Sequence, residues 1–324
     1  MTENSKTLKN LATDISLNDS ALIFCHTRPD GDTLGSAMAL CLGLEQIGKR
    51  CAVVCDGIIP EKYNYEPFFK RVLTPDAVTA AFGCHIAVDV ASENMLGCAE
   101  RLFKSSKNTF CLDHHVSNTR YAREYYVRDC AANCLNIGKL LEELGVEINS
   151  RIAEALLLGI VTDTGNFSHS NADCEALTYA GKMVALGADL NKINTYMFKN
   201  QKKARARLFI EVMDKMRFYN SDKIAIITVT QQLLAKNGVG NEVTEGFVDF
   251  PLSIEGVEVA YSLLETKNEL YKISLRSKGR INVNKIAADF GGGGHILASG
   301  CVISGPYEEV IEKLLRATEL NSDL

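Results

Sequence analysis

The side chains of this chain that could do chemistry are aspartates and histidines, and most of them directly follow short apolar runs. They are His26, Asp30, Asp32, Asp89, Asp113, His114, His115 and Asp163. Carboxylates brought together without a neighbouring Lys or Arg would repel one another strongly. Divalent cations supply the missing positive charge, and carboxylates mixed with a few imidazoles suit Mn²⁺ or Mg²⁺ better than a thiolate-bound Zn²⁺. The set predicts a metal site with enough ligands for two ions and an acid that could bridge them.

A parallel sheet would bring these side chains together. The runs ALIFC (21–25), CAVVC (51–55), HIAVD (85–89) and TFCL (109–112) are continuous rather than alternating, which is typical of strands covered on both faces. Helix-length segments separate them, which predicts right-handed βαβ units and a mostly parallel sheet. Ligands bind at the carboxyl ends of such strands. Three strand ends and the end of a helix predicted at 151–161 would therefore deliver acids and imidazoles to one crevice.

Each of these motifs could also have a purely structural role instead of binding metal. The pattern H-x-x-x-D-x-D at 26–32 could form a turn whose carboxylates cap a helix, and a lone Asp after a strand is usually such a cap. Asp56 is predicted to be of this kind. The Asp-His-His triplet at 113–115 is harder to explain structurally, because two adjacent imidazoles after an acid are costly to satisfy. In combination the motifs favour the metal site.

A run of four glycines, Phe290-Gly-Gly-Gly-Gly-His295, is the second unusual feature. Consecutive glycines leave the backbone free to take positive φ and to approach a ligand closely, and successive N–H groups can form an anion-binding nest. Nearby Arg276 and Lys278, with His295 itself, favour phosphate as the ligand. A flexible turn is the alternative. The lack of a following Lys-Ser/Thr excludes a nucleotide-triphosphate P-loop.

The elements predict an α/β fold of two domains, as does the length of 324 residues at about 150 residues per domain. We expect an N-terminal, mostly parallel sheet flanked by helices at 1–190, a helical connector at 191–218 and a smaller α+β C-terminal domain at 219–324. The active site is expected in the interdomain cleft. Further helices are predicted at 36–47, 174–186, 284–289 and 307–318, and further strands at 223–230, 257–264 and 271–276.

The predicted connector is strongly basic between Lys199 and Arg217, where Glu211 and Asp214 are the only acids. A solvated helix face would explain this composition, and so would contact with a nucleic-acid backbone. Both interpretations stay open from the sequence.

The overall composition is that of an ordinary globular protein, with 46% hydrophobic and 23% charged residues, which excludes disordered and fibrous classes. The net charge of −5 argues against a general nucleic-acid coat. Eleven cysteines without a signal peptide indicate reduced thiols rather than a disulfide framework. No apolar run approaches the ~20 residues of a membrane helix. We expect a soluble cytoplasmic protein.

The motifs together resemble those of the DHH phosphoesterases. The segments H-T-R-P-D-G-D (26–32), V-D (88–89), D-H-H-V-S-N (113–118) and G-I-V-T-D-T-G (159–165) are similar to the four motifs of that family. The segment F-G-G-G-G-H-I-L-A-S-G (290–300) resembles the signature of the DHH-associated C-terminal domain. The resemblance spans nearly the whole chain. The length fits the compact members, which are the nanoRNase/pAp-phosphatase type and the stand-alone cyclic-dinucleotide phosphodiesterases.

The resemblance implies six ligands for two Mn²⁺ ions, with Co²⁺ or Mg²⁺ as alternatives. One ion would be held by His26, Asp30 and Asp89, and the other by Asp32, Asp89, His114 and Asp163, so that Asp89 bridges.

The resemblance also implies roles for residues that bind no ion. Asp113 would orient an imidazole, as metal-binding histidines usually require, and His115 would face the substrate phosphate, so that both join Asp89 as catalytic residues. The substrate would be bound by Arg276, Gly293, Gly294 and His295, and by Ser117 and Asn118. One departure follows Asp163, where the chain reads GNFSH and many relatives carry an aromatic residue or Arg in the last positions, so preference for base or chain length could differ.

These features predict metal-assisted phosphoester hydrolysis. The first hypothesis is a nanoRNase that degrades short oligoribonucleotides to mononucleotides and converts 3′-phosphoadenosine 5′-phosphate (pAp) to AMP. The alternative is hydrolysis of cyclic di-AMP or of its linear product pApA. A non-catalytic nucleotide sensor is disfavoured, because every expected ligand position holds a residue that can coordinate metal. Expected partners are short RNA or DNA oligonucleotides or dinucleotides and pAp, with no membrane contact, and a homodimer stays open.

Overall fold

The computed structural model describes residues 6–267 and 269–321 of the chain. They form two compact units, Met1–Asn200 and Gln201–Leu324, and each is described by itself. Among these residues no helix combines the length and the apolar character that crossing a bilayer requires.

The first unit contains a five-stranded parallel sheet. Its strands are β1 (Ser20–Phe24), β2 (Arg50–Val54), β3 (Cys84–Val88), β4 (Thr109–Asp113) and β5 (Glu124–Val127). Their order across the sheet is β2-β1-β3-β4-β5, and all four neighbouring pairs are parallel. The reversal of strand order beside β1 creates the kind of crevice at the carboxyl ends in which α/β sheets bind ligands.

Helices cover both faces of this sheet, which explains the continuous apolar runs. They are α1 (Leu8–Ser16), α2 (Gly31–Gln46), α3 (Ala99–Lys104), α4 (Asn133–Glu143), α5 (Ser150–Asp163), α6 (Cys174–Ala185) and α7 (Leu190–Asn194). Side chains of β1 alternate between two clusters: Ala21 and Ile23 pack towards the face that includes α2, α4 and α5. Leu22 and Phe24 pack on the opposite face with Phe103 of α3.

Glycines allow α2 and α5 to pack backbone to backbone. A Cβ at Gly35 would lie 2.4 Å from the carbonyl oxygen of Ala155, and a Cβ at Gly159 would lie 2.6 Å from Oδ1 of Asp32. Any larger side chain would force the two helices apart. This close approach matters for the site because α2 carries Asp32 and α5 ends at Asp163.

The second unit contains a six-stranded mixed sheet. Its strands are β6 (Arg217–Tyr219), β7 (Ile224–Val229), β8 (Val259–Lys267), β9 (Leu270–Ser277), β10 (Gly293–Gly294) and β11 (Ala298–Ser304), and its helices are α8 (Lys203–Met213), α9 (Gln231–Asn237), α10 (Asp249–Ser253), α11 (Val283–Asp289) and α12 (Tyr307–Leu320). The strand order is β10-β11-β9-β8-β7-β6, in which β7 and β8 pair in parallel. Helices α11 and α12 pack on one face, and α8 and α9 pack on the other.

The predicted fold class is confirmed: a parallel sheet flanked by helices is followed by a smaller mixed-sheet domain. The sequence interpretation missed helices α1, α3, α4, α9 and α10 and strands β5, β6, β10 and β11, and it began the second helix at residue 36 instead of Gly31. The predicted connector is not one helix: α7 is followed by a single π-helical turn, Thr195–Lys199, and then by α8. The division between the units falls within the predicted range 191–218, whose limits stay a prediction.

Two of the basic side chains in this range have structural roles. Arg205 donates from Nε to the carbonyl oxygen of Val243 and from Nη2 to that of Glu245, both at 2.8 Å. Arg217 pairs with Glu308 at 3.1 Å. For these two residues the structure shows contacts within the protein, which neither a solvated helix face nor a nucleic-acid contact had predicted.

Candidate metal centre

The eight acids and imidazoles singled out in the sequence meet at the carboxyl edge of the parallel sheet. They follow β1, β3 and β4 directly, except for Asp163, which ends α5. The ligand atoms of seven of them, all except Asp113, form three overlapping groups, each within 4.8 Å, that could hold a metal ion. These groups are Asp89 with His114 and His115, His26 with Asp30 and Asp89, and Asp32 with His114 and Asp163.

The first side of the cluster is formed by the loop after β1. Nε2 of His26 lies 3.6 Å from Oδ2 of Asp30 and 3.8 Å from Oδ2 of Asp89. These distances exceed a hydrogen bond, so the three groups face a common space. The other oxygen of Asp30 caps α2 by accepting the backbone N–H groups of Asp32 and Thr33, each at 3.0 Å.

The second side of the cluster is centred on His114. Its Nε2 lies 3.3 Å from Oδ1 of Asp89, 3.9 Å from Oδ2 of Asp32 and 3.8 Å from Oδ2 of Asp163. Its Nδ1 lies 2.9 Å from the carbonyl oxygen of Cys130. Because a carbonyl can only accept, Nδ1 carries a proton, so Nε2 is the nitrogen that faces the acids and that could bind a metal ion once it has lost its own proton.

Asp89 joins the two sides of the cluster. Its Oδ2 faces His26 and its Oδ1 faces His114. The residue is 2% exposed, and Oδ1 has no hydrogen-bond partner among the described residues. Its backbone is left-handed, with φ of 59°, a strained conformation for a residue other than glycine. A buried, unpaired carboxylate oxygen is costly unless a cation compensates it, so the residues present fit a divalent ion.

The charge balance of the cluster also favours a cation. Burial, with the charges of Asp89 and Asp163, raises the pKa of Asp32 well above its usual range. Burial raises the pKa of Asp163 to about 7, with Asp89 and Asp30 adding to the effect and His114 opposing it. Burial opposes the charging of His114, yet Asp89 and Asp32 raise its pKa to about 11. Without an ion, Asp32, Asp163 and His114 bind protons more readily than usual, and these protons supply the positive charge that the cluster lacks.

Asp113 holds two of the neighbouring side chains. One oxygen accepts from Nδ1 of His115 at 2.8 Å, and the other accepts from Nδ2 of Asn118 at 2.6 Å. Asp113 is fully buried. Burial opposes the effect, but the hydrogen bond from His115 holds the pKa of Asp113 below its usual range. Asp113 thus orients the imidazole of His115, whereas the ring of the proposed ligand His114 is held by the Cys130 carbonyl.

The two polar residues predicted to bind substrate near this cluster have different surroundings. Ser117 is exposed. The Asn118 amide is bonded on both sides, because Nδ2 also donates to the Val90 carbonyl at 3.2 Å and Oδ1 accepts the N–H of Arg120 at 2.7 Å. Its observed contacts orient Asp113 and the following loop, and a substrate contact for either residue stays a prediction.

The predicted phosphate-binding residues of the second unit lie on neighbouring strands. Arg276 of β9 pairs in register with Ala298 of β11, and its Nε lies 3.6 Å from Oδ1 of Asp249. Gly293 and Gly294 form β10, and the adjoining turn is closed by a 2.8 Å bond from the N–H of His295 to the carbonyl of Ala298. Gly294 has φ of 150°, and a Cβ there would lie 2.6 Å from the Ala298 oxygen. This close approach requires glycine at position 294. The location of the active site in an interdomain cleft stays a prediction.

The sequence interpretation missed main-chain groups that hold Asp32. The start of α4 donates the N–H of Asn133 to Oδ2 and that of Cys134 to Oδ1, the latter at 2.9 Å. Main-chain donors carry no signature in residue types, and α4 itself was not predicted. A weak signal was available, because a buried Asp at the start of one helix needs donors from somewhere.

The comparisons with known proteins agree with this geometry. Residues 20–160 match the DHH family, N-terminal domain, and residues 221–320 match the DHHA1 domain. A Thermus thermophilus protein named bifunctional oligoribonuclease and PAP phosphatase NrnA is 30% identical over 302 residues, 90% of this chain and 87% of the relative. The chain belongs to the DHH family.

Two further relatives bear on the family assignment. The cyclic-di-AMP phosphodiesterase PdeA of Listeria monocytogenes is 25% identical over 87% of this chain and 44% of the relative, so the chain spans less than half of that protein. The crystal structure of an exopolyphosphatase-related protein from Bacteroides fragilis is 26% identical, covers 97% of this chain and 95% of its own, and superposes with a TM-score of 0.89. The whole two-unit fold of this DHH chain therefore has a solved counterpart.

Proposed function

We propose that this chain is a metal-dependent phosphoesterase that hydrolyses short oligoribonucleotides to mononucleotides and removes the 3′-phosphate of pAp to give AMP. The observation that carries the proposal is the bridging position of Asp89, whose two oxygens face two imidazole–carboxylate groups while Oδ1 has no hydrogen-bond partner among the described residues. The name of the Thermus thermophilus relative supports the substrates.

The proposed ligands are six side chains for two divalent ions. His26, Asp30 and Asp89 would hold one, and Asp32, Asp89, His114 and Asp163 the other. When bound, such ions activate water at neutral pH and neutralise charge on the phosphoryl oxygens. Mn²⁺ is the proposed ion, with Mg²⁺ or Co²⁺ as alternatives, because the donor set mixes carboxylates with imidazoles.

The chain's own residues bind and orient the reacting phosphate. His115 donates from Nδ1 to Asp113, so its Nε2 edge is directed away from that carboxylate. The hydrogen bond to Asp113 raises the pKa of His115, which favours the imidazolium form that donates to a phosphate oxygen. Arg276, Gly293, Gly294 and His295 would bind a second phosphate, with Ser117 and Asn118 as further proposed contacts.

The test of the metal centre removes single carboxylates. Asp32→Ala and Asp89→Ala should each lower the rate on pAp and on a short oligoribonucleotide by orders of magnitude, because charge stabilisation by the ions is lost. Calorimetric titration with Mn²⁺ should show weakened binding, and circular dichroism should show a folded protein.

The matched control is Asp56→Ala. Asp56 also follows a strand of the same sheet, but its carboxylate accepts the N–H of Cys98 at 2.8 Å and belongs to none of the three ligand groups. It should keep Mn²⁺ binding and turnover close to wild type. Full activity of folded Asp89→Ala would refute the two-ion proposal.

Hydrolysis of cyclic di-AMP or pApA is the second candidate function, favoured by the similarity to PdeA. The manganese-loaded protein should be assayed on pAp, pApA, a short RNA and cyclic di-AMP. Turnover of the cyclic substrate without turnover of the linear ones would replace the first proposal.

A cytoplasmic location is part of the proposal. All eleven cysteines are free thiols, as expected in a reducing compartment. A homodimer is a further expectation, and light scattering of the purified protein would decide it.

A further inference from the structure

A strained turn directly follows Asp163. Gly165, Asn166 and Phe167 all have left-handed backbones, with φ of 55°, 56° and 62°. The turn is closed by a 2.7 Å bond from the N–H of Asn166 to the carbonyl of Val161. Left-handed residues other than glycine cost free energy and are concentrated at functional sites. Two such residues in succession, Asn166 and Phe167, beside a residue of the candidate ligand cluster indicate that the turn has a function there.

The turn folds the His169 ring back against the end of α5. Nδ1 of His169 lies 3.3 Å from the carbonyl oxygen of Asp163. That oxygen can only accept, so Nδ1 carries the proton and Nε2 keeps a lone pair. A Cβ at Gly165 would lie 2.2 Å from Nε2, so glycine is required for the ring to occupy this position. The imidazole is exposed and yet fixed in place, with an acceptor on its outer edge.

The ring is held by the main chain of a residue whose side chain belongs to the candidate ligand cluster. The same Asp163 whose backbone holds the ring places its Oδ2 3.8 Å from Nε2 of His114. In a nucleotide, the hydrogen-bond donors nearest to a phosphate are the sugar hydroxyls, whereas the base edge lies farther away. Of these donors, the 2′-hydroxyl is the one that distinguishes RNA from DNA.

We propose that His169 is a specificity-determining residue, whose Nε2 accepts a hydrogen bond from the ribose hydroxyl next to the scissile phosphate. This inference rests on the proposed function and adds a sugar preference to it. His169 would discriminate between ribose and deoxyribose, while the charged cluster acts on the phosphate of either.

The experiment compares ribo- and deoxyribodinucleotides of the same sequence with wild type, His169→Phe and His169→Gln. Wild type should favour the ribo substrate, and His169→Phe should lower the ratio of the two kcat/KM values about 3- to 10-fold, the effect of losing one hydrogen bond. His169→Gln retains an acceptor oxygen and should recover part of the ratio. On bis(4-nitrophenyl) phosphate, which has no sugar, all three proteins should have equal rates.

Positioning of the ring is tested by Gly165→Ala, which keeps His169 but occupies the space of Nε2. It should lower the ribo-to-deoxyribo ratio as His169→Phe does, whereas Ser170→Ala, an exposed neighbour, should leave it unchanged. An unaltered ratio in His169→Phe would overturn the inference while leaving the proposed function intact. Failure of wild type to hydrolyse any of these phosphoesters would instead overturn the proposed function.

Discussion

The two carboxylate oxygens of Asp30 have different roles: one caps a helix and the other belongs to the cluster of candidate metal ligands. Oδ1 caps α2 through the N–H groups of Asp32 and Thr33, and Oδ2 faces His26. The two interpretations of this motif, a capped turn and a ligand, are therefore compatible. The cap fixes the first turn of the helix that carries Asp32, so one residue orients two of the acids.

The raised pKa of Asp163 predicts how metal stabilisation depends on pH. An unfolded Asp titrates near ~3.9, whereas burial raises the pKa of Asp163 to about 7. Its protonated form therefore contributes stability fully below the unfolded pKa, and this contribution is lost as pH rises through about 7. Above that value an ion must replace the proton, so Mn²⁺ should raise the Tm more at pH ~7.5 than at pH ~5.5. Thermal denaturation with EDTA and with Mn²⁺ at each pH measures the increase in Tm that the ion produces at that pH.

The matched variant for this titration is Asp163→Asn, which removes the titrating group but keeps its size. The difference between the two Tm increments should shrink in the variant. Each kcal/mol corresponds to roughly 2–4 °C for a protein of this size. Equal increments at both pH values in wild type would contradict the assignment of Asp163 to the metal centre.

Individual acids differed in how well the sequence predicted them. Asp89 could be placed because residues that end neighbouring parallel strands meet at one edge of the sheet, whereas Asp163 ends a helix and was placed by the resemblance of its motif. Asp173 caps α6 through the N–H of Ala176, which is the usual role of an Asp directly before a helix. Asp56 was expected to cap a helix, but it accepts the N–H of Cys98 from a distant loop. Such a tertiary contact cannot be inferred from local spacing.

At the scale of elements, the cluster depends on how closely α2 and α5 pack. Asp32 is in the first turn of α2 and Asp163 is the last residue of α5, so a change in the spacing of the two helices changes the distance between two acids. The glycines at the contact are what allows the present spacing.

Gly35→Ala tests this dependence. Its Cβ would lie 2.4 Å from the Ala155 carbonyl, so we expect a loss of about 1–3 kcal/mol in the free energy of unfolding from overpacking. Mn²⁺ affinity should fall as well, because the helices that carry Asp32 and Asp163 must separate. Denaturant unfolding and calorimetric titration measure the two effects.

Gly181→Ala is the control for this substitution, since Gly181 lies within α6 and a Cβ there meets nothing within 4 Å. It should stabilise the protein by up to about 1 kcal/mol through helix propensity and leave metal affinity unchanged. Unchanged Mn²⁺ affinity in Gly35→Ala would show that helix spacing does not control the cluster.

Strongly apolar elements were predictable, and half-buried ones were not. Strands β1, β3 and β4 appear as continuous apolar runs because helices cover both of their faces. Strand β5 reads EYYV and is only partly buried, so it lacks such a run. Helix α4 has no side-chain cap, which removes the usual marker of a helix start.

At the scale of the whole molecule, each unit has its own core and its own group of candidate site residues. The first unit holds the cluster of candidate metal ligands. The second holds Arg276 of β9 and the hairpin of β10 and β11, which contains Gly293 and Gly294. This division suggests separate tasks, the reaction for one unit and substrate recognition for the other.

Arg276→Ala should therefore affect binding more than chemistry. We expect a higher KM for pAp, which carries a second phosphate, and a small change in kcat, because charge-assisted contacts to phosphate are lost. Arg280→Ala is the control, since that exposed side chain pairs with Glu258 at 3.5 Å. Steady-state kinetics of both variants measure KM and kcat for pAp. An unchanged KM in Arg276→Ala would remove Arg276 from the site.

The left-handed backbone and unpaired oxygen of Asp89 have a consequence for the life of the protein in the cell. Backbone strain and charge repulsion are concentrated at the residues proposed to bind the ions. The ion-free protein is therefore less stable than the ion-bound protein would be. Scarcity of the cation would then shift newly made molecules towards unfolding and degradation, in addition to leaving the folded ones without the ions that the proposed reaction needs. The abundance of the protein would follow the supply of its cation.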